Sequence, residues 1–340
     1  LNKAFAIFRR RSIDARQKLS YALEDLGALA GRRIRLFKEA RGARIVVYHG
    51  ICREDPTRYN NIFLRQETFE AHLRFYKRYF HVISLDDYYH ERFSSDRYNI
   101  CISFDDGYAN NHKYVLPLLE QYRLPAAFFV TGIRDAGYDI LWNDFLGLIS
   151  KYGPRKLNFN KEAFVKRRSS GYFSAAGGQS LKELIRSEGF HAKEVMMESL
   201  YPLAPFRNMI PEQDYWLAMN GEQIRELSAS PWVTIGAHGY YHNDLARIGV
   251  MEAEYELERS KRYLEELTGK EIKALAFPYG SYSPAVVAVA KQAGFSQLLA
   301  LDLLFPGDRS DPSIRDRFVV NPFVSVTNQM LAIIKRTYAF

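Results

Sequence analysis

Hydrophobic positions fall into short, nearly continuous runs separated by longer stretches of helical period. The runs are Arg44–Tyr48, His81–Leu85, Asn99–Phe104, Ala126–Val130, Val233–Ala237, Ala274–Phe277, Ser296–Leu301 and Phe318–Phe323. They are β-branched or aromatic and alternate little, which is the pattern of strands buried on both faces. Between them, Thr68–Tyr79, Asn110–Tyr122, Met251–Leu267 and Ser283–Ala293 predict helices. The third is Glu-rich in its first half and stops at Thr268-Gly269, as the helix dipole and a glycine cap would have it. Strands alternating with helices in this way predict an α/β protein, a closed or nearly closed (β/α) barrel of about seven to eight strands. An open doubly wound sheet is the alternative.

Residues 135–225 break the rhythm. They hold the basic stretch Lys166-Arg167-Arg168-Ser169-Ser170-Gly171 and several helical runs but no clear strand. This segment reads as a helical insertion over one barrel loop, where insertions shape access to a site. Residues 1–42 read as a basic helical segment, with Phe5, Ile7, Phe8, Ile13, Leu19, Ala22 and Leu26 spaced among arginines. The expected organisation is therefore a helical segment over 1–42, a barrel over 43–325 containing the 135–225 insertion, and a C-terminal helix or tail over 326–340.

Composition narrows the class. With 47% hydrophobic and 25% charged residues in 340, the chain is that of a folded protein, and disordered or collagen-like readings fall away. No run of 18 apolar residues is free of charge, so no transmembrane helix is expected. The net charge of +8 belongs to one segment: residues 1–44 hold 12 Lys/Arg and 4 Asp/Glu, and the remainder holds 35 of each. A neutral body argues against nucleic acid as a partner. The basic segment would sit on an anionic membrane surface, or pack on its own domain or a partner subunit. No signal-peptide pattern stands at this N-terminus, so a cytoplasmic or membrane-associated location is expected. Cys52 and Cys101, each beside an apolar run, are expected to be buried free thiols.

Two strand ends carry chemistry. Asn99–Phe104 runs into Asp105-Asp106-Gly107-Tyr108. Adjacent residues at a strand end point in different directions, so one carboxylate can hold a metal while its neighbour faces a water. Val233–Ala237 runs into His238-Gly239-Tyr240-Tyr241-His242, whose two histidines can converge on one ion if the chain turns helically. The plainer readings are an Asp-Asp-Gly turn and a surface histidine pair. Taken together, Asp106, His238 and His242 form a two-histidine, one-carboxylate set with an open position, as in catalytic zinc sites. Asp105 is left to act as a general base.

Phe104-Asp105-Asp106-Gly107, His238-x-x-x-His242 and Phe277-Pro278-Tyr279-Gly280 resemble, in order, the three main motifs of the polysaccharide deacetylase family, carbohydrate esterases related to nodulation-factor deacetylases. The resemblance spans most of residues 45–325. It implies a deformed (β/α) barrel and metal-dependent removal of acetyl from an N-acetylated amino sugar, with O-acetyl ester hydrolysis or non-catalytic sugar binding as alternatives. It implies Asp105 as base, and Asp106, His238 and His242 as ligands of a divalent cation, zinc first and cobalt or nickel otherwise. It also implies the Tyr108 backbone N–H as an oxyanion donor, and Pro278 and Tyr279 as groove-lining residues. The family's usual C-terminal acid histidine is missing, since no histidine follows His242. Instead Ile45-Val46-Val47-Tyr48-His49 resembles the circularly permuted poly-N-acetylglucosamine deacetylase branch, which implies His49 as the acid. The arginine that often opens the third motif is also absent, and Arg317 is the candidate to hold the base. Trp142 and Trp216, at the insertion's edges, are candidates for sugar contact.

Overall fold

The computed structural model describes residues 32–167, 171–203 and 213–338. Its strands are β1 (Ala43–Tyr48), β2 (Ile51–Cys52), β3 (Leu64–Arg65), β4 (Phe80–Val82), β5 (Tyr98–Phe104), β6 (Ala126–Val130), β7 (Lys156–Phe159), β8 (Glu162–Lys166), β9 (Tyr172–Ser174), β10 (Val233–Ala237), β11 (Ala274–Ala276), β12 (Gln297–Ala300) and β13 (Ile314–Val319). Seven of them, in the order β1, β5, β6, β10, β11, β12, β13, close into a parallel barrel through the β13–β1 pairing. β4 pairs with the first half of β5, below the point where β6 takes over that edge. All seven strands run the same way, so their C-terminal ends share one face, where a (β/α) barrel carries its chemistry.

Alternation along the strands sorts the core. Val46, Tyr48, Ile100, Ile102, Phe104, Phe128, Ile235, Leu275 and Leu298 belong to the large outer core, which packs under the helices. Ile45, Cys101, Ala127, Phe129, Ala274, Ala276 and Leu299 form a separate inner cluster of mostly small residues. Gly236 belongs to this economy of space: a Cβ there would lie 2.6 Å from the Phe129 ring. Both cysteines are buried and free, as expected.

Three expectations are corrected. The run at 81–85 is a strand only as far as Val82. Ser84 then accepts from the Asp87 amide at 3.0 Å and caps a helix over Leu85–Tyr89, because a hydroxyl N-cap satisfies an amide that a strand would leave open. The last strand is Ile314–Val319, four residues earlier than its apolar run suggests. Its charges disguised it: Arg317 is buried against Asp105, and Asp316 pairs with Arg44 at 2.9 Å. The insertion is not purely helical. Helices Trp142–Tyr152, Leu181–Arg186 and Phe190–Leu200 accompany a three-stranded antiparallel sheet, β7-β8-β9. The hairpin between β7 and β8 turns on Asn160 (φ 49°) and Lys161 (φ 62°), a two-residue turn with both residues left-handed. With strands this short and lysine-rich, the alternation is easily lost.

The insertion builds its own core around Trp142, Phe145, Leu146, Met196 and Trp216, which also takes in Phe63 and Tyr108 from the barrel side. The C-terminal helix is Val326–Lys335. Of the basic N-terminal segment, only its end is described: the helix Arg32–Glu39 buries Phe37 and exposes Ile34 and Leu36. The predicted helix over residues 1–31 lies outside the described residues. No described helix is long and apolar enough to cross a membrane.

Candidate active site

Register places the first components. β1 and β5 pair with Tyr48 opposite Phe104, so His49 and Asp105 leave the sheet at the same level. β10 pairs with β6 as far as Ala237–Val130, and the His238 amide then donates to the Val130 carbonyl at 3.0 Å. Asp105, Asp106, His238, His242 and Arg317 are all buried, at 5% exposure or less.

The strand ends are held in unusual backbone. Asp106 (φ 74°), His242 (φ 58°) and Tyr279 (φ 60°) are left-handed non-glycine residues, and all three lie at this site. Such conformations persist only where the surroundings over-determine them. For the His238–His242 turn, the constraint is a buried carboxylate that the sequence reading missed. Glu256 Oε1 accepts from the amides of Tyr240 (3.1 Å), Tyr241 (3.1 Å) and Asn243 (3.3 Å). Trp142 adds a second hold, its indole N–H donating to the His242 carbonyl at 3.1 Å.

Asp105 and Asp106 face different partners, as adjacent strand-end residues should. Arg317 grips Asp105 with two parallel bonds, Nη1 to Oδ1 at 2.6 Å and Nη2 to Oδ2 at 2.7 Å. The burial of Asp105 would raise its carboxyl, but Arg317, His238 and His49 outweigh it and hold the group below the ordinary range. Asp106 Oδ1 lies 3.3 Å from His238 Nε2 and 3.1 Å from His242 Nε2. Burial again opposes ionisation, yet the two histidines hold this carboxyl well below its usual value. The histidines diverge: burial lowers both, but Asp105, 3.9 Å away, with Asp106 lifts His238 above its ordinary value while His242 stays below.

The donor set fits a divalent cation. Ligand atoms of a tetrahedral zinc, each about 2.0–2.2 Å from the ion, stand about 3.3–3.5 Å apart. The two Asp106–histidine separations are close to that, and all three ligand atoms lie within 4.8 Å of one another. His238 Nδ1 donates to the Ala276 carbonyl at 2.8 Å, which leaves the Nε2 lone pair facing Asp106. An outer hydrogen bond that fixes the tautomer is the usual support of a metal-binding histidine.

These residues form the floor of a cavity of ≈ 690 Å³ between the barrel mouth and the insertion. His49, Tyr279 and Trp216 also line it. Burial lowers the His49 imidazole, against the pull of Asp106 and Asp105. Tyr279 packs on His242 (centroids 4.7 Å apart) beneath the Arg186 guanidinium at 4.4 Å. Tyr108 bridges to Ala218 through the amides of Ala109 and Met219, so its own N–H is not used in that pairing.

Two expected contacts move away from the cavity. Trp142 is fully buried in the insertion core, where it supports the His242 turn and does not line the cavity. Pro278 is also buried and off the lining, packed near Gly239. Large apolar groups at such positions gain more from burial than from a solvated wall. Asp144 was not foreseen either. Its carboxylate accepts from the Tyr108 hydroxyl at 2.7 Å and lines the cavity; burial, with Asp106 nearby, pushes it up to about 7.

The polysaccharide deacetylase profile matches residues 94–172 and 209–298. No curated protein matches the chain by sequence. Solved structures share the fold at low identity. A Streptococcus pyogenes deacetylase, PplD, in complex with acetate is 16% identical with a TM-score of 0.52, covering 87% of this chain and 99% of its own. IcaB from Ammonifex degensii is 18% identical with a TM-score of 0.52, covering 87% and 98%. A de-N-acetylase from Aggregatibacter actinomycetemcomitans is 15% identical with a TM-score of 0.51, covering 83% and 96%.

Proposed function

The chain belongs to the polysaccharide deacetylase family, and from that premise we propose that it removes acetyl from an N-acetylated amino sugar within a polysaccharide or glycan precursor. The observation that carries this reading is the division of labour between adjacent aspartates. Asp105 is clamped by Arg317, while Asp106 is shared by two histidines.

In this reading Asp106, His238 and His242 hold a divalent cation, zinc first among them. When bound, the cation supplies Lewis acidity to the acetyl carbonyl and lowers the pKa of water. Asp105, kept ionised by Arg317, takes the proton of the attacking water. The Tyr108 amide donates to the oxyanion. His49, level with Asp105 on the neighbouring strand, gives a proton to the departing nitrogen. Tyr279 and Trp216 contact the sugar. Water is added across the C–N bond, and a free amine and acetate leave.

Acetate release from a panel of N-acetyl and O-acetyl sugars tests this. Turnover of the N-acetyl members should vanish with chelator and return with metal. Asp105→Asn should bind metal normally and lose nearly all turnover, whereas His238→Ala should lose both. Release only from O-acetyl esters would replace amide by ester chemistry, and metal-independent release would remove the cation. A surface role for the basic N-terminal segment is a separate proposal, supported by the exposed Ile34 and Leu36. Sedimentation with anionic vesicles, with and without residues 1–44, checks it.

A further inference from the structure

The two histidines of the candidate metal set are held in different ways. His238 follows the end of β10, and its Nδ1 is tied to the Ala276 carbonyl at the end of β11, so two barrel strands fix it. His242 stands in irregular chain with a left-handed backbone (φ 58°). Among the described residues its buried Nδ1 has no hydrogen-bond partner. Its place therefore depends on the Tyr279 ring it packs against and on how the backbone around it is gripped.

The insertion grips that backbone at four consecutive residues. Phe190 stacks flat on Tyr241, with ring centroids 4.0 Å apart. Trp142 Nε1 donates to the His242 carbonyl at 3.1 Å, and Lys193 Nζ donates to Asn243 Oδ1 at 2.5 Å. Arg186 Nε donates to Asp244 Oδ2 at 2.7 Å, and its guanidinium also covers the Tyr279 ring that packs on His242. These side chains come from the helices Trp142–Tyr152, Leu181–Arg186 and Phe190–Leu200, so each of the three contributes a hold. Lys193, Asn243 and Asp244 are fully buried. A buried ammonium is costly unless its protons are bonded, and Lys193 places a second one on the Glu188 carbonyl at 2.5 Å. Contacts that only fastened the insertion to the barrel could fall anywhere along their interface. These meet on the one segment that carries His242, which Glu256 holds from the barrel helix Val250–Thr268.

We propose that the insertion is part of the metal centre: Trp142, Arg186 and Lys193 are positioning residues that set His242, so that cation binding and docking of the insertion are thermodynamically coupled. The proposal rests on the cation reading of Asp106, His238 and His242, and not on which bond is hydrolysed. Loss of an outer support weakens metal binding about ten- to a hundredfold. Linkage is reciprocal, so the cation tightens docking of the insertion by the same factor by which docking tightens the cation. Because the cavity lies between the barrel mouth and the insertion, one event completes both the metal site and the wall above it.

The test uses the full chain, with zinc and cobalt as probes. Zinc affinity is read by competition with a chromogenic chelator. Lys193→Met and Trp142→Phe should each weaken it about tenfold or more, and should alter the visible bands of the cobalt form, which report the ligand set. Trp142→Phe removes one N–H and keeps a ring, so it decides the matter if Lys193→Met does not fold. Tyr138→Phe is the control: it removes a bond to Glu194 inside the insertion, away from residues 241–244, and should leave zinc affinity unchanged. In the wild-type protein, zinc should raise the hydrogen-exchange protection of the Phe190–Leu200 amides about tenfold or more. Wild-type affinity in both variants, equal weakening by Tyr138→Phe, or no gain in protection overturns the proposal. If the wild-type protein binds neither cation, the cation reading falls and the coupling falls with it. Coupled binding with no acetate released from the sugar panel would keep the coupling and sink the deacetylase reading.

Discussion

Arg317→Met is the most informative single perturbation, because it removes a charge without opening a large cavity. Arg317 makes both short bonds to Asp105, and its guanidinium lies 5.5 Å from the Phe129 ring inside the barrel. Without it Asp105 is a buried carboxylate whose remaining charge partners are histidines. Breaking one side of a buried ion pair costs about 3–5 kcal/mol. The chain's escape is to protonate Asp105 at about 1.4 kcal/mol per pH unit between the raised pKa and the solvent pH. The sign then follows. Wild-type Asp105 lies below the ordinary range, so its contribution is present at neutral pH and is lost as pH falls through that lowered value. In the variant the loss of stability should be about 3 kcal/mol at pH 7.5 and should shrink towards pH 5, where Asp105 binds a proton. Urea unfolding in chelator, at both pH values, measures this. Arg317→Met combined with Asp105→Asn should restore most of the lost stability at pH 7.5, because neither charge is then left alone. In turnover, the acid limb of Arg317→Met should move up in pH. A single variant less than about 1 kcal/mol destabilised, or a double variant no better than the single, would refute the clamp argument.

Other expectations follow from the same geometry. Glu256→Ala strips the acceptor from three amides of the His238–His242 turn and should weaken metal affinity at least about tenfold, as loss of an outer support does, read by competition with a chromogenic chelator. Asp144, with a carboxyl pushed up to about 7, disfavours the folded state increasingly as pH rises from about 4 to about 7. Asp144→Asn should therefore gain more stability at pH 8 than at pH 5, by roughly 1–3 kcal/mol, in denaturant titrations at the two values. If His49 is the acid, turnover needs its protonated form and declines as pH climbs through its lowered pKa; His49→Gln should flatten that alkaline limb and cost about 10²-fold or more in kcat. An unaltered pH profile in His49→Gln would assign the proton to another group.

Local sequence determined a good deal of this protein. The buried strand runs and the motifs at their ends turned Asp105 and Asp106 towards different partners and put His238 and His242 on one short segment, which converges through an irregular turn with left-handed Gly239 and His242 and not through the helical turn expected. Its position at the end of a buried strand also singled out His49, which lines the cavity, whereas of the two tryptophans chosen at the insertion's edges only Trp216 does. Closure of the barrel was needed to decide what those ends meet. Arg317 reaches Asp105 across 212 positions only because β13 pairs with β1, and the charged first part of that strand does not read as strand. Glu256, in the middle of a Glu-rich helix, looks like a solvated residue until packing carries it under the histidine turn. Trp142 and Pro278 looked like walls of the groove and proved to be its supports, since burial of a side chain depends on what the rest of the chain lays over it.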